Sequence, residues 1–195
     1  LRPLLGWLEK FVPVGGDFIA GDSAAPLLVP VRGEPVAIGP LICYEDTYPE
    51  LARLSALSGA GLIAVLTNNG WFGEGGAAQQ HAAHSVLRAV ETRRPVLRCG
   101  NAGWSGWIDE FGVVRATLTE PERGIYFRGS RALDITRDAR WVDRASFYVE
   151  HGNWFVALAA LLAAAGWWLI RTSADRKSTR LNSSHEWISR MPSSA

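Results

Sequence analysis

Two apolar runs separated by a helical segment constrain the fold of this chain more than any other feature. The first run, Leu41–Glu45, is apolar at its start and ends in reactive residue types. Tyr48–Ser58 follows with leucines at three-residue intervals and Pro49 near its start, which predicts a helix. Leu62–Leu66 is apolar throughout, as in a strand covered on both faces. This strand–helix–strand unit with short connections predicts an α/β layered fold.

Weaker patterns extend this unit in both directions. The segment between Pro3 and Pro13 predicts a short helix. Gln79–Thr92 predicts a second long helix, which Arg94-Pro95 ends. Short strands are expected at Leu27–Val31, Val36–Ile38, Val96–Cys99, Ser105–Ile108, Val113–Leu118 and Gly124–Phe127, with Gly39-Pro40 as a break.

The C-terminal part has a different composition. Trp154–Ile170 holds neither charge nor proline and has tryptophans at both ends, which favours a membrane-spanning helix over a buried core helix. After residue 174 the sequence becomes polar and aperiodic. We therefore divide the chain into a domain over 1–150, a transmembrane segment over 151–174, and a tail over 175–195 that is either non-native or disordered.

Composition excludes several functional classes. The formal net charge is +1 without a long basic run, which argues against nucleic-acid binding. The two cysteines, Cys43 and Cys99, are too few for a disulfide framework, and no cysteine–histidine cluster indicates a metal site. We expect neither a metal nor another cofactor.

Cys43 is the first candidate for chemistry. It ends an apolar strand directly before a helix, where α/β folds open toward a substrate crevice. A thiol there can attack an acyl carbon, and backbone N–H groups of the turn can stabilise the oxyanion. Spacing alone would favour an inert core thiol. Tyr44 and Glu45, directly after Cys43, favour a functional site instead, because a charged Glu is seldom buried without a partner.

A polar loop follows the next strand and is expected at the same edge of the sheet. It reads TNNGWFG and contains Asn69, Trp71 and Phe72. The adjacent aromatics suit the wall of a pocket, although a surface loop is the simpler alternative.

Three segments in order resemble the apolipoprotein N-acyltransferase family of the nitrilase superfamily. They are GPLICYEDTYPELAR, LTNNGWFG and QQHAAHSVLRAVETRRPVLRCGNAGWSGWIDEFG. The resemblance runs from about Leu1 to Glu122. It implies part of a nitrilase-like αββα sandwich, followed by one transmembrane helix.

The resemblance also implies a Glu–Lys–Cys triad, in which Cys43 is the nucleophile. It assigns supporting roles to Tyr44 and Glu45, to the aromatic loop, and to Glu91 on the following helix. Asn69 stands where the family usually has Asp. The Glu base and the Lys would both precede residue 1, since Lys10 falls after the expected lysine position. We therefore expect the chain to be a fragment of a longer protein and to be inactive alone.

The activity implied by the resemblance is lipoprotein maturation at the bacterial inner membrane, with the catalytic domain facing the periplasm. An acyl chain would move from a phospholipid, through a Cys43 thioester, to the terminal amine of a diacylated apolipoprotein. Two other functions remain open: a nitrilase-type amidase or carbon–nitrogen hydrolase that uses water, and a non-catalytic membrane-tethered domain. A papain-like pairing of Cys43 with His81 or His84 is an alternative mechanism.

Overall fold

A computed structural model describes the backbone of residues 21–188 and the side chains of residues 21–173. These residues form two compact units, of which the first ends at Glu150 and the second begins at His151. The helix predicted between Pro3 and Pro13, and Lys10 within that segment, lie outside the described residues.

The described residues of the first unit form a six-stranded sheet whose strands lie side by side in chain order. The strands β2, β3 and β4 are parallel, and the remaining neighbours pair antiparallel. This mixed sheet confirms the predicted α/β class. The strands are β1 (Leu27–Val31), β2 (Glu34–Ile42), β3 (Leu62–Asn68), β4 (Val96–Asn101), β5 (Gly106–Ile108) and β6 (Val114–Thr117).

Two helices make the crossovers between the parallel strands. Helix α1 (Pro49–Leu57) joins β2 to β3, and α2 (Ala77–Thr92) joins β3 to β4. A short helix, α3 (Phe147–His151), follows later in the chain. Small residues of α1 and α2 pack on the aliphatic residues of the central strands. The core includes Leu41, Ala52, Ile63, Val65, Ala82, Ala89 and Val96.

In the part of the chain that the structure describes, the face of the sheet opposite α1 and α2 is exposed at its centre. Ile42 and Leu66 are register partners on neighbouring strands, and they are 55% and 50% exposed. Described residues thus supply one sheet and one helical layer of the expected sandwich.

Two strand predictions were wrong. The break at Gly39-Pro40 is absent, because β2 continues to Ile42. Pro40 is tolerated because pairing with β1 ends at Ile38, so no partner on that side requires the missing N–H. Residues 124–127 form no strand and contribute only an isolated bridge between Gly124 and Glu120.

The second unit contains helix α4, which spans Trp154–Ile188. Its backbone runs past residue 174, where composition suggested a boundary. Within α4, Trp154–Ser173 is the one stretch of the described chain that is long and apolar enough to cross a membrane. The guanidinium of Arg171 lies 4.3 Å from the ring centroid of Trp167.

Candidate active site

Cys43 lies at the carboxyl end of β2 and opens a single 3₁₀ turn, Cys43–Thr47. Its φ angle is 53°, in the left-handed region that non-glycine residues seldom occupy. Such conformations persist where the surrounding structure enforces them, and they cluster at functional sites. The thiol is free and half-buried.

Local hydrogen bonds fix this turn. The N–H of Ile42 donates to Oε2 of Glu45 at 2.6 Å, and the hydroxyl of Thr47 donates to the carbonyl of Tyr44 at 2.7 Å. Glu45 thereby holds the residue before Cys43, while its own side chain stays half-buried.

Thr67 on the neighbouring strand contacts the thiol directly. Its hydroxyl donates to Sγ of Cys43 at 3.4 Å, within the range for a sulfur acceptor. The contact arises because β2 and β3 are parallel, so that their carboxyl ends meet at one edge of the sheet. The polar loop after β3 starts at this same edge, as the sequence predicted.

A buried charge cluster lies behind the turn, centred on Asp46, which is fully buried. One carboxylate oxygen of Asp46 lies 2.9 Å from Nε2 of His81, and the other accepts from the hydroxyl of Ser85 at 2.8 Å. The guanidinium of Arg98, which is 1% exposed, pairs with the same carboxylate. The cluster therefore joins the turn to α2 and to β4.

The electrostatics of this cluster depend on its burial. Burial lowers the pKa of Arg98 below its usual value, while the nearby Asp46 and, to a lesser extent, the Cys43 sulfur act to raise it. The carboxylate of Asp46, three residues after Cys43, offsets the cost of burying the Arg98 cation.

His81 uses both of its ring nitrogens within the site. Nε2 faces Asp46, and Nδ1 lies 3.0 Å from the side-chain nitrogen of Asn69. The imidazole also stacks on the ring of Tyr44, with centroids 5.2 Å apart. Neither nitrogen faces Cys43, so these contacts favour a positioning role for His81 over a papain-like base.

The position of the aromatic loop depends on Asn69, the residue directly before it. Asn69 is fully buried, and its carbonyl accepts from the N–H of Phe72 at 3.0 Å. Gly70–Phe72 forms a 3₁₀ turn that leaves Trp71 82% exposed. The structure thus brings Cys43, Asn69 and the aromatic pair to one edge of the sheet.

Glu91 lies near the far end of α2, away from the thiol. Its carboxylate pairs with Arg88, and another nitrogen of Arg88 donates to the carbonyl of Asp46 at 3.0 Å. Glu91 therefore reaches the Cys43 turn only through Arg88. Its assignment as a supporting residue stays a proposal.

Sequence reasoning missed part of this arrangement. Asp46, Thr67, Ser85 and Arg98 were not predicted, and His81 was not predicted to link Asp46 to Asn69. One signal was present: Arg98 is a charged residue inside an apolar strand, and such a residue requires a buried partner. The sequence did not show which acid supplies it.

Comparison with known proteins identifies the family to which the chain belongs. The profile of the carbon–nitrogen hydrolase family matches residues 7–135, and the chain belongs to that family. It is also similar to curated apolipoprotein N-acyltransferases. The protein of that name from Thermotoga maritima is 34% identical over 144 residues, covering 74% of this chain. The one from Gloeobacter violaceus is 32% identical over 189 residues, covering 92%.

The match covers only part of each relative. The chain spans 27% of the Thermotoga protein and 32% of the Gloeobacter protein. Among solved structures, a carbon–nitrogen hydrolase from Helicobacter pylori G27 aligns with a TM-score of 0.45 and 22% identity. That alignment covers 52% of this chain and 41% of the other.

Proposed function

We propose that the complete gene product is an apolipoprotein N-acyltransferase in which Cys43 is the nucleophile. The observation that carries the proposal is the position of Cys43, held in a left-handed turn against the hydroxyl of Thr67, in the same turn as Asp46 and its buried partner Arg98. The sequence similarity to curated N-acyltransferases supports the choice of reaction.

The first half-reaction is acylation of the thiol. The sulfur of Cys43 attacks the ester carbonyl of a phospholipid acyl chain, and a C–S bond forms while the C–O bond breaks. The lysophospholipid leaves as an alcohol after taking up the proton that the thiol loses. Splitting acyl transfer into two steps in this way lowers the barrier of each.

The second half-reaction transfers the chain to an amine. The terminal amine of a diacylglyceryl-cysteine apolipoprotein attacks the thioester, a C–N bond forms, and the C–S bond breaks. The amine proton returns to the sulfur, which restores the thiol. A general base and an oxyanion donor outside the described residues complete this scheme, as the Glu and Lys of the family resemblance imply.

Helix α4 supports the membrane setting of the proposal. Trp154–Ser173 has the length and composition of a membrane span, and its side chains are exposed within the described chain. We propose that it anchors the protein in the bacterial inner membrane with the catalytic domain on the periplasmic side. A water-using amidase, the second candidate, gives no role to such a helix.

Acyl transfer to a lipopeptide tests this function. We expect the complete gene product in detergent micelles to acylate a diacylated lipopeptide from phosphatidylethanolamine, and Cys43→Ala to reduce the rate by at least about 10³-fold because the nucleophile is lost. Cys99→Ala is the matched control and should retain the wild-type rate. Release of free fatty acid without lipopeptide acylation would instead support the hydrolase.

A further inference from the structure

The polar groups behind the Cys43 turn form a continuous chain to the aromatic loop. Asp46 belongs to the turn that begins at Cys43, and Asn69 directly precedes the turn that carries Trp71. His81 on α2 lies between them and contacts both through opposite nitrogens of one ring, at 2.9 and 3.0 Å.

The hydrogen-bond roles along this chain follow from its donors. If the side-chain N–H of Asn69 donates to Nδ1, then Nδ1 is the acceptor and the ring proton lies on Nε2. Nε2–H then donates to the carboxylate of Asp46. His81 is 6% exposed, so water does not readily replace either bond, and losing one leaves a buried polar group without a partner.

Asn69 is constrained from its other side as well. A Cβ atom placed on Gly103 would come within 2.6 Å of the Asn69 side-chain oxygen, so the amide fits only against a glycine. The position of Asn69 is thus set jointly by His81 and Gly103. The hydrogen bond from the N–H of Phe72 to the carbonyl of Asn69 then fixes the aromatic loop relative to Asn69.

We propose that His81 is a positioning residue that couples the Cys43 turn to the aromatic loop, and so sets the wall against which the acyl chain of the donor lies. This inference rests on the proposed N-acyltransferase function. It predicts that disturbing the chain at His81 weakens use of a long acyl donor without altering attack on a small electrophile, because the small electrophile does not need the wall.

The test compares three variants of the complete gene product. His81→Gln breaks the chain at its centre, and Gly103→Ala displaces Asn69 without touching His81. Ser85→Ala is the matched control: Ser85 lies one turn further along α2, and its loss removes a hydrogen bond to the same carboxylate and one from Arg98 but leaves the bond between His81 and Asn69 in place. The readouts are kcat and KM for phosphatidylethanolamine with long and short acyl chains, the iodoacetamide alkylation rate of Cys43, and Tm.

His81→Gln and Gly103→Ala should each raise KM for the long-chain donor about tenfold, the effect of losing roughly one buried hydrogen bond. The alkylation rate should stay within about twofold, because the turn keeps Arg98 and Ser85. Ser85→Ala should lower Tm without changing the preference between long and short chains. If the His81→Gln protein does not accumulate, Gly103→Ala tests the same prediction.

Two results would overturn the inference: an unchanged KM in His81→Gln or Gly103→Ala, or a rise in Ser85→Ala equal to theirs. Neither result affects the proposed function, which fails separately if Cys43→Ala keeps acylating the lipopeptide.

Discussion

At the scale of single residues, the contact between Thr67 and Cys43 is the most informative in the site. A hydroxyl that donates to sulfur stabilises the thiolate more than the thiol, because the charged form is the better acceptor. The hydroxyl of Thr67 is held for this role, since the residue is 8% exposed and lies within β3.

Thr67→Val removes the hydroxyl while keeping the branched shape that the strand requires. We expect the rate of Cys43 alkylation by iodoacetamide at neutral pH to fall about two- to fivefold, because a hydrogen bond worth roughly 1 kcal/mol no longer stabilises the thiolate. Thr67→Ser, which keeps the donor, should restore the wild-type rate. If valine and serine give the same rate, the hydroxyl has no influence on the thiol.

The residues that sequence reasoning missed share a physical cause. Cys43, Glu45 and Asn69 could be singled out because strands and loops place them by local rules. The pairing of Asp46 with Arg98 joins positions 52 residues apart and depends on how α2 lies over the sheet. Neither residue carries a local pattern that specifies the other.

At the scale of elements, the parallel order of β2, β3 and β4 could be predicted because apolar runs alternate with helical segments. The continuation of β2 through Pro40 could not be predicted in this way. Proline at position 40 predicts a break, and it is accommodated only because β1 stops pairing at Ile38. Gly39 adds a packing reason: a Cβ there would lie 2.9 Å from Cβ of Ser55 on α1, so the strand needs glycine for the helix to approach.

Helix α4 yields a prediction about topology. We expect Trp154–Ser173 to span the membrane, with the chain after it in the cytoplasm and the catalytic unit in the periplasm. In a variant that lacks Cys43 and Cys99, a cysteine introduced as Ala174→Cys should resist a membrane-impermeant maleimide in intact spheroplasts. It should become labelled once the cells are opened.

Ser130→Cys is the matched control for this experiment, because Ser130 is an exposed residue of the first unit. It should be labelled in intact spheroplasts. Equal labelling of both cysteines before the cells are opened would contradict a spanning helix, and labelling of Ala174→Cys alone would reverse the orientation.

At the scale of the whole molecule, the described residues include the proposed nucleophile and the groups that surround its turn. The turn at Cys43, the donor at Thr67 and the cluster around Asp46 lie together at one edge of the sheet. We expect the base and the oxyanion donor implied by the family resemblance to come from outside them. The open sheet face with Ile42 and Leu66 is where we expect the second layer of a nitrilase-like sandwich to pack.

The central claim is that Cys43 carries the acyl chain. The complete gene product should be incubated with phosphatidylethanolamine in the absence of lipopeptide, quenched in acid, digested and analysed by mass spectrometry. We predict an acyl thioester on the peptide that contains Cys43, which disappears when the lipopeptide is added before quenching. An acyl group on the Cys99 peptide with none on Cys43, or a Cys43 adduct that the lipopeptide does not discharge, would contradict the account.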